Sequence, residues 1–248
     1  MTIHRLFSKD PNDEEENVTQ NIYVFRFILF CIIVYSFEML LNSVDIFIVD
    51  KTIFTRGYVT GCLFAAVYVL ILLHLGLEHP LTKYVSITAV SLIIMAASVS
   101  LTYHMIIIIM MPIIIAGMYT SKQLSIYTFV LTVLSIIIST YAGYYYGVCD
   151  ANMVLLTTTS MNHLVENGIF LLNQVNENPG VTLALYYVLP RCLMAMSFVY
   201  VSNIVNQVIR KSLKNIESYH AKQMQYSWFD SKPDGTILGQ KVTPLQKV

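Results

Sequence analysis

An apolar run from Val85 to Tyr119, 35 residues with almost no polar relief, constrains this chain more than any other feature. As a single helix rising 1.5 Å per residue it would be about 50 Å long. The hydrocarbon core of a bilayer is about 30 Å thick. The run therefore reads as two passages. Their break belongs at Thr102-Tyr103-His104, the only polar cluster inside it. Similar runs lie on either side, and together they predict an all-α membrane protein with six transmembrane helices. The expected spans are about 22–41, 58–77, 85–102, 105–118, 124–146 and 181–204. The fourth is short and holds Pro112, and the sixth holds Pro190. Neighbouring helices can satisfy the carbonyls that a proline frees in such a setting. Composition agrees, with 56% hydrophobic and 12% charged residues. A soluble domain has about 45–50% and about 25%. Lys+Arg equals Asp+Glu, so the net charge is zero, which excludes a generally basic nucleic-acid binder.

Six spans put both termini on one side, and the positive-inside rule says which. Residues 148–180 contain no Lys or Arg and should face outward. The tail after the last span holds Arg210, Lys211, Lys214, Lys222, Lys232, Lys241 and Lys247, and should be cytoplasmic. Lys83, Lys122, Arg5 and Lys9 fall on the same side, against Lys51 and Arg56 outside. Five spans would force either the outer segment or the basic tail to the wrong side. Residues 1–21 are then a cytoplasmic N-terminal tail with an acidic run, Asp13 to Glu16. No short apolar stretch there ends in a small-residue cleavage site, so no removable signal peptide is expected. The expected location is the cell (plasma) membrane, multi-pass, with the lipid bilayer as partner.

Within the outer segment, Met161, Leu164, Val165, Gly168 and Leu172 recur at helical spacing, with Ile169, Phe170 and Leu171 between them. That pattern reads either as an interfacial helix or as a greasy loop.

Ionisable groups inside a membrane are costly and are functional candidates by default. Arg26 and His74 lie near the inner ends of their spans and can snorkel. Glu38 and Arg191 lie deeper. Their depths differ by only about 5–8 Å at 1.5 Å per residue, so a Glu38–Arg191 pair joining spans one and six is expected. Asp150, Asn152 and Arg191 are the candidates to meet a stimulus at the outer mouth. No HExxH, GxSxG or P-loop is present, so no catalytic residue is expected. His104 and His163 have no partner spacing that marks a metal site. The widely separated Cys31, Cys62, Cys149 and Cys192 make neither a disulfide framework nor a zinc site. No cofactor is expected. Gly-rich helix faces and internal repeats, which would favour a small transporter, are missing.

Several stretches carry a resemblance. Tyr141 to Met153, Leu155 to Thr159, Tyr187-Val-Leu-Pro-Arg-Cys192 and His104 to Lys122 together resemble the six-span N-terminal input domain of Firmicutes signalling proteins. Such domains typically precede a diguanylate cyclase (GGDEF) output domain. The likeness covers roughly residues 20–205 and implies a sensor of unknown stimulus. It departs from the family pattern after the spans, where no GGDEF stretch is found. Sensor modules often act as dimers, so a homodimer is an open expectation, although no dimer face can be read from the spans.

After Ile204 the composition turns polar, with Ile209, Leu213, Ile216 and His220 at helical spacing. Lys214 to Gln223, Tyr226-Ser-Trp-Phe-Asp230 and Asp234 to Val248 resemble an internal piece of histidinol dehydrogenase. In that family the zinc ligands, the acid–base residues and most of the NAD site lie beyond this piece, so the resemblance brings no active-site residue. Residues 205–248 should form a cytoplasmic tail, with a short helix to about Gln225 and irregular chain beyond. Ile237, Leu238, Val242 and Leu245 have no sheet to join, and a piece of about 40 residues buries too little surface to offset its ordering entropy. Asp234-Gly235 reads as a turn. Trp228, the single tryptophan, reads as an interface anchor or an orphaned core residue. Three functions stay open: a sensory input module lacking its output domain, a non-functional chimera, and a small transporter. As the chain stands, no enzyme is expected.

Overall fold

The computed structural model describes residues 16–47, 49–101, 105, 107–147, 165–166, 169–170 and 180–230. Nearly all of these are helical. The elements are α1 (Glu16–Ser43), α2 (Lys51–Leu75), α3 (Thr82–Leu101), a 3-10 turn (Ile108–Met110) leading into α4 (Met111–Gly117), and α5 (Lys122–Tyr146). Next come β1 (Val165–Glu166) and β2 (Ile169–Phe170). The last are α6 (Gly180–Leu183), a π-helical turn (Ala184–Val188) and α7 (Leu189–Asp230). Five helices are long and apolar enough to cross a membrane, counting Gly180–His220 as one. The fourth expected span is shorter than a crossing helix. Ile108–Gly117 has ten residues, about 15 Å of helix at 1.5 Å per residue.

Contacts among the described residues nevertheless show the chain passing between the two ends of the bundle. At one end Asn21 bonds the Leu77 carbonyl and the Tyr119 hydroxyl, and Gln20 bonds the Met118 carbonyl. At the other end Leu101 packs with Tyr35 and Phe54. The chain leaves α3 at the Phe54 end and reaches Met118 at the Asn21 end, with the short α4 on the way. The described residues place the end of α3 at Leu101, just before the polar cluster 102–104.

Two boundaries differ from the sequence reading. The second span starts at Lys51 rather than near 58, because Asp50 caps it with its side chain on the Ile53 N–H (2.9 Å) and Lys51 pairs with Asp45 (2.8 Å). Charges taken for loop residues belong to a capped first turn. The second span also stops at Leu75, where Gly76 at φ 82° ends it. In the outer segment, where the sequence leaves an interfacial helix and a greasy loop both open, the described residues form an antiparallel pair, Val165 opposite Phe170 and Glu166 opposite Ile169. The intervening sequence is Asn167-Gly168, the strongest two-residue hairpin signal, flanked by β-prone residues.

The core is centred on α3, which packs against α2 and α5 and has thirteen buried residues. Seven of the thirteen are Ser or Ala between Ser86 and Ser100. Small residues let helix backbones approach closely, which drives association where lipid offers no hydrophobic contrast. The facing surface of α5 is a stripe of hydroxyls: Ser125, Thr128, Thr132, Ser135 and Ser139 are all buried at alternating three- and four-residue spacing. Several satisfy themselves within the helix, as when Thr128 donates to the Leu124 carbonyl (2.7 Å). The chain divides into two units, residues 1–206 and 207–248. In the second, α7 continues as helix to Asp230, five residues past the expected end.

Candidate functional site

The site is built around Arg191, in the first turn of α7. Pro190 before it has no N–H to donate, and its ring would clash with the carbonyl four residues back. The preceding turn is widened to π geometry, with the Leu189 N–H reaching the Ala184 carbonyl, and this relieves the clash. Such turns occur frequently at functional sites. Tyr187 and Arg191 are four residues apart and so share a face. Both point into the bundle. Arg191 is 6% exposed, its guanidinium carbon lies 5.2 Å from the centre of the Tyr187 ring, and one of its nitrogens donates to Thr140 Oγ1 (3.1 Å). One residue along α5, the Tyr141 hydroxyl donates to the Gly180 carbonyl (2.8 Å) and anchors the start of α6. An aromatic patch of Leu183, Tyr187, Tyr141 and Tyr144 closes the surroundings. Arg191 is thus held by a neutral hydroxyl and an aromatic face, both on rigid elements. Such a cation can stabilise an anion or register a change in the packing of α5 against α7.

Glu38 is half-buried on α1, on the stripe that also carries the buried Tyr35 and Asn42. Asn42 fastens the α1–α2 turn by donating to the Phe47 and Val49 carbonyls (2.8 Å each). The contacts described for Arg191 run to Thr140, which the sequence does not single out, and to Tyr187, which enters only as part of a resemblance. A threonine opposite an arginine leaves no charge pattern to read, and only the inward hydroxyl periodicity of α5 points to it. Arg26 is half-buried in α1, and His74 is exposed in the last turn of α2. Asp150, Asn152, His104 and His163 lie outside the described residues.

At the opposite end Asn21 is 1% exposed and joins three segments: α1, the α2–α3 connection and the α4–α5 connection. Burial holds the Tyr119 hydroxyl well above the usual phenol range. Gly117 beside this knot lets α7 pass closely, since a side chain there would begin 2.7 Å from Ser202 Oγ.

No protein-family model matches the chain, and no solved structure does. Curated proteins are similar over short segments. The histidinol dehydrogenase of Pseudomonas syringae pv. tomato is 40% identical over 60 residues, 24% of this chain and 13% of that protein. That of Bacillus subtilis is 59% identical over 39 residues, 16% of this chain and 9% of that protein. That of Geobacillus kaustophilus is 55% identical over 42 residues, 17% of this chain and 10% of that protein. The chain spans about a tenth of the length of the curated relatives it matches. The short-segment resemblance to histidinol dehydrogenase therefore holds. The comparisons give no support to the likeness of the membrane part to signalling input domains.

Proposed function

We infer that the chain is a membrane input module of a bacterial signalling protein, embedded in the cell membrane with both ends of its membrane part cytoplasmic. One observation carries this reading. The helix that begins beside the buried Arg191 is unbroken from Leu189 to Asp230, 42 residues. A stimulus that alters the Arg191 turn would act on that helix at its start. Asp150 and Asn152 are the proposed outer contacts for the stimulus. Glu38 is the proposed counter-charge of Arg191 across the bundle. If Glu38→Gln and Arg191→Gln each impair folding, and the double variant is no worse than either single one, the pair is supported. Independent, additive losses sink it.

The test of the input role is a reporter output domain grafted after Asn206, with activity followed in cells across a panel of outer stimuli. The expected result is a stimulus-dependent output that Arg191→Gln flattens. An output that is constant under every stimulus, from a stably inserted protein, overturns the reading.

A second reading is favoured by the histidinol dehydrogenase similarity. In it the polar tail is a stretch of that enzyme joined to an unrelated membrane part. Long-read sequencing of one DNA molecule across codons 195–230 tests it. Reads that separate at the join support an assembled chimera, and reads that hold it intact support a real gene.

A further inference from the structure

A cavity of about 220 Å3 opens between α2 and α3 at the Phe54 end of the bundle, beside the last residue of α5. Its polar lining is Arg56, Thr60, Ser100 and Tyr146, and Phe64 and Met95 supply apolar wall. Charge marks it first. Besides Arg191, the described residues place two cations at this end, Lys51 and Arg56. Lys51 is spent on Asp45, and the nearby Asp50 is committed to capping Ile53. Among the described residues Arg56 makes no ion pair. The floor is equally distinctive. Gly57 has no side chain, and Ser100 Oγ occupies the space that a Cβ there would take. The Tyr35 hydroxyl lies 2.7 Å from the same point. Tyr35 is 6% exposed and lies behind this floor, beside Ser100.

We propose that this cavity binds a small amphipathic anion, a carboxylate or phosphate head on an apolar body, with Arg56 as its counter-charge. A guanidinium matches both heads bidentately, while the hydroxyls of Thr60 and Ser100 donate to the Arg56 and Ala96 carbonyls (2.8 and 3.4 Å) and leave the charge to Arg56. The apolar wall takes the body. The volume lies below the roughly 300–1,000 Å3 of drug-sized sites, so the occupant is a small molecule or the head of a larger one. As the site of a stimulus it rests on the input-module reading. As a binding site it stands without it.

The test is binding by the full chain, with no output domain needed. In nanodiscs of phosphatidylcholine, octanoate is titrated by calorimetry. In nanodiscs containing phosphatidylglycerol, lipid retention is read by native mass spectrometry. Two variants accompany the parent: Arg56→Gln, which removes the charge, and Thr60→Phe, which fills the cavity at an exposed position. Saturable octanoate binding, weakened at least about tenfold by each variant, supports a free amphiphile as occupant. No octanoate binding, with retention of phosphatidylglycerol lost in both variants, supports a lipid head. If neither probe binds, or both variants bind as the parent does, the proposal is overturned. Binding as described beside a silent reporter fusion would remove the input role and leave the site.

Discussion

Helices α3 and α7 are both apolar enough to cross a membrane, yet they live in different surroundings. In the most apolar stretch of α3 67% of residues are buried, against 11% for the span that runs into α7. Hydropathy barely separates them, at 2.0 and 1.5. Side-chain size does. α3 buries Ser86, Ala89, Ser91, Ala96, Ala97, Ser98 and Ser100, while α7 exposes Leu193, Met196, Tyr200, Val201 and Ile204. In water the greasier face turns inward. In lipid the tails are as apolar as leucine, so small and hydroxylated faces turn inward and large apolar ones turn out.

The comparison breaks most visibly through overpacking. Ala97→Leu in α3 should cost about 1–3 kcal/mol, because neighbouring backbones must separate. Val201→Leu in α7 should stay within about 0.5 kcal/mol. Reversible unfolding in mixed micelles measures both, and equal costs would end the distinction. A smaller effect tests how the inner faces are joined. Arg191→Gln and Thr140→Ala, taken singly and together, should show a coupling of about 0.6 kcal/mol, the usual size for hydrogen bonds between membrane helices. Strict additivity would mean that the 3.1 Å contact carries no energy. The smallest expected effect has the opposite sign. Thr132 is 1% exposed, and among the described residues its hydroxyl has no hydrogen-bond partner. Thr132→Val keeps the shape and removes the orphan, so it should be neutral or slightly stabilising. A clear loss of stability would show that the hydroxyl serves something.

The passages of the chain are legible in the sequence because length and hydropathy are local properties. Among the described residues α3 ends at Leu101, just before the three polar residues that interrupt the run. Arg191 stands out in the sequence as a charge inside an apolar run, and it is buried. Its partners do not stand out. Thr140 lies 51 residues away and carries no charge to flag it. The start of α2 is misread because Lys51 and Arg56 look like loop charges, when Asp50 and Asp45 make them part of a helix terminus. The helical spacing of Met161, Leu164, Val165, Gly168 and Leu172 gives no sign of the strand pair at Val165–Glu166 and Ile169–Phe170. The cavity beside Arg56 depends on Gly57 and Ser100 meeting across two helices, which no single stretch of sequence reveals.

The Asn21 knot has a consequence for how the protein is made. Its amide sits in the first helix, but its partners lie 56 and 98 residues later in the chain. At about 5–20 residues per second, synthesis needs about 5–20 s to deliver Tyr119 after Asn21 has emerged. For that interval the first helix waits at the membrane with an unmatched amide, and the bundle can lock only when its fourth passage arrives.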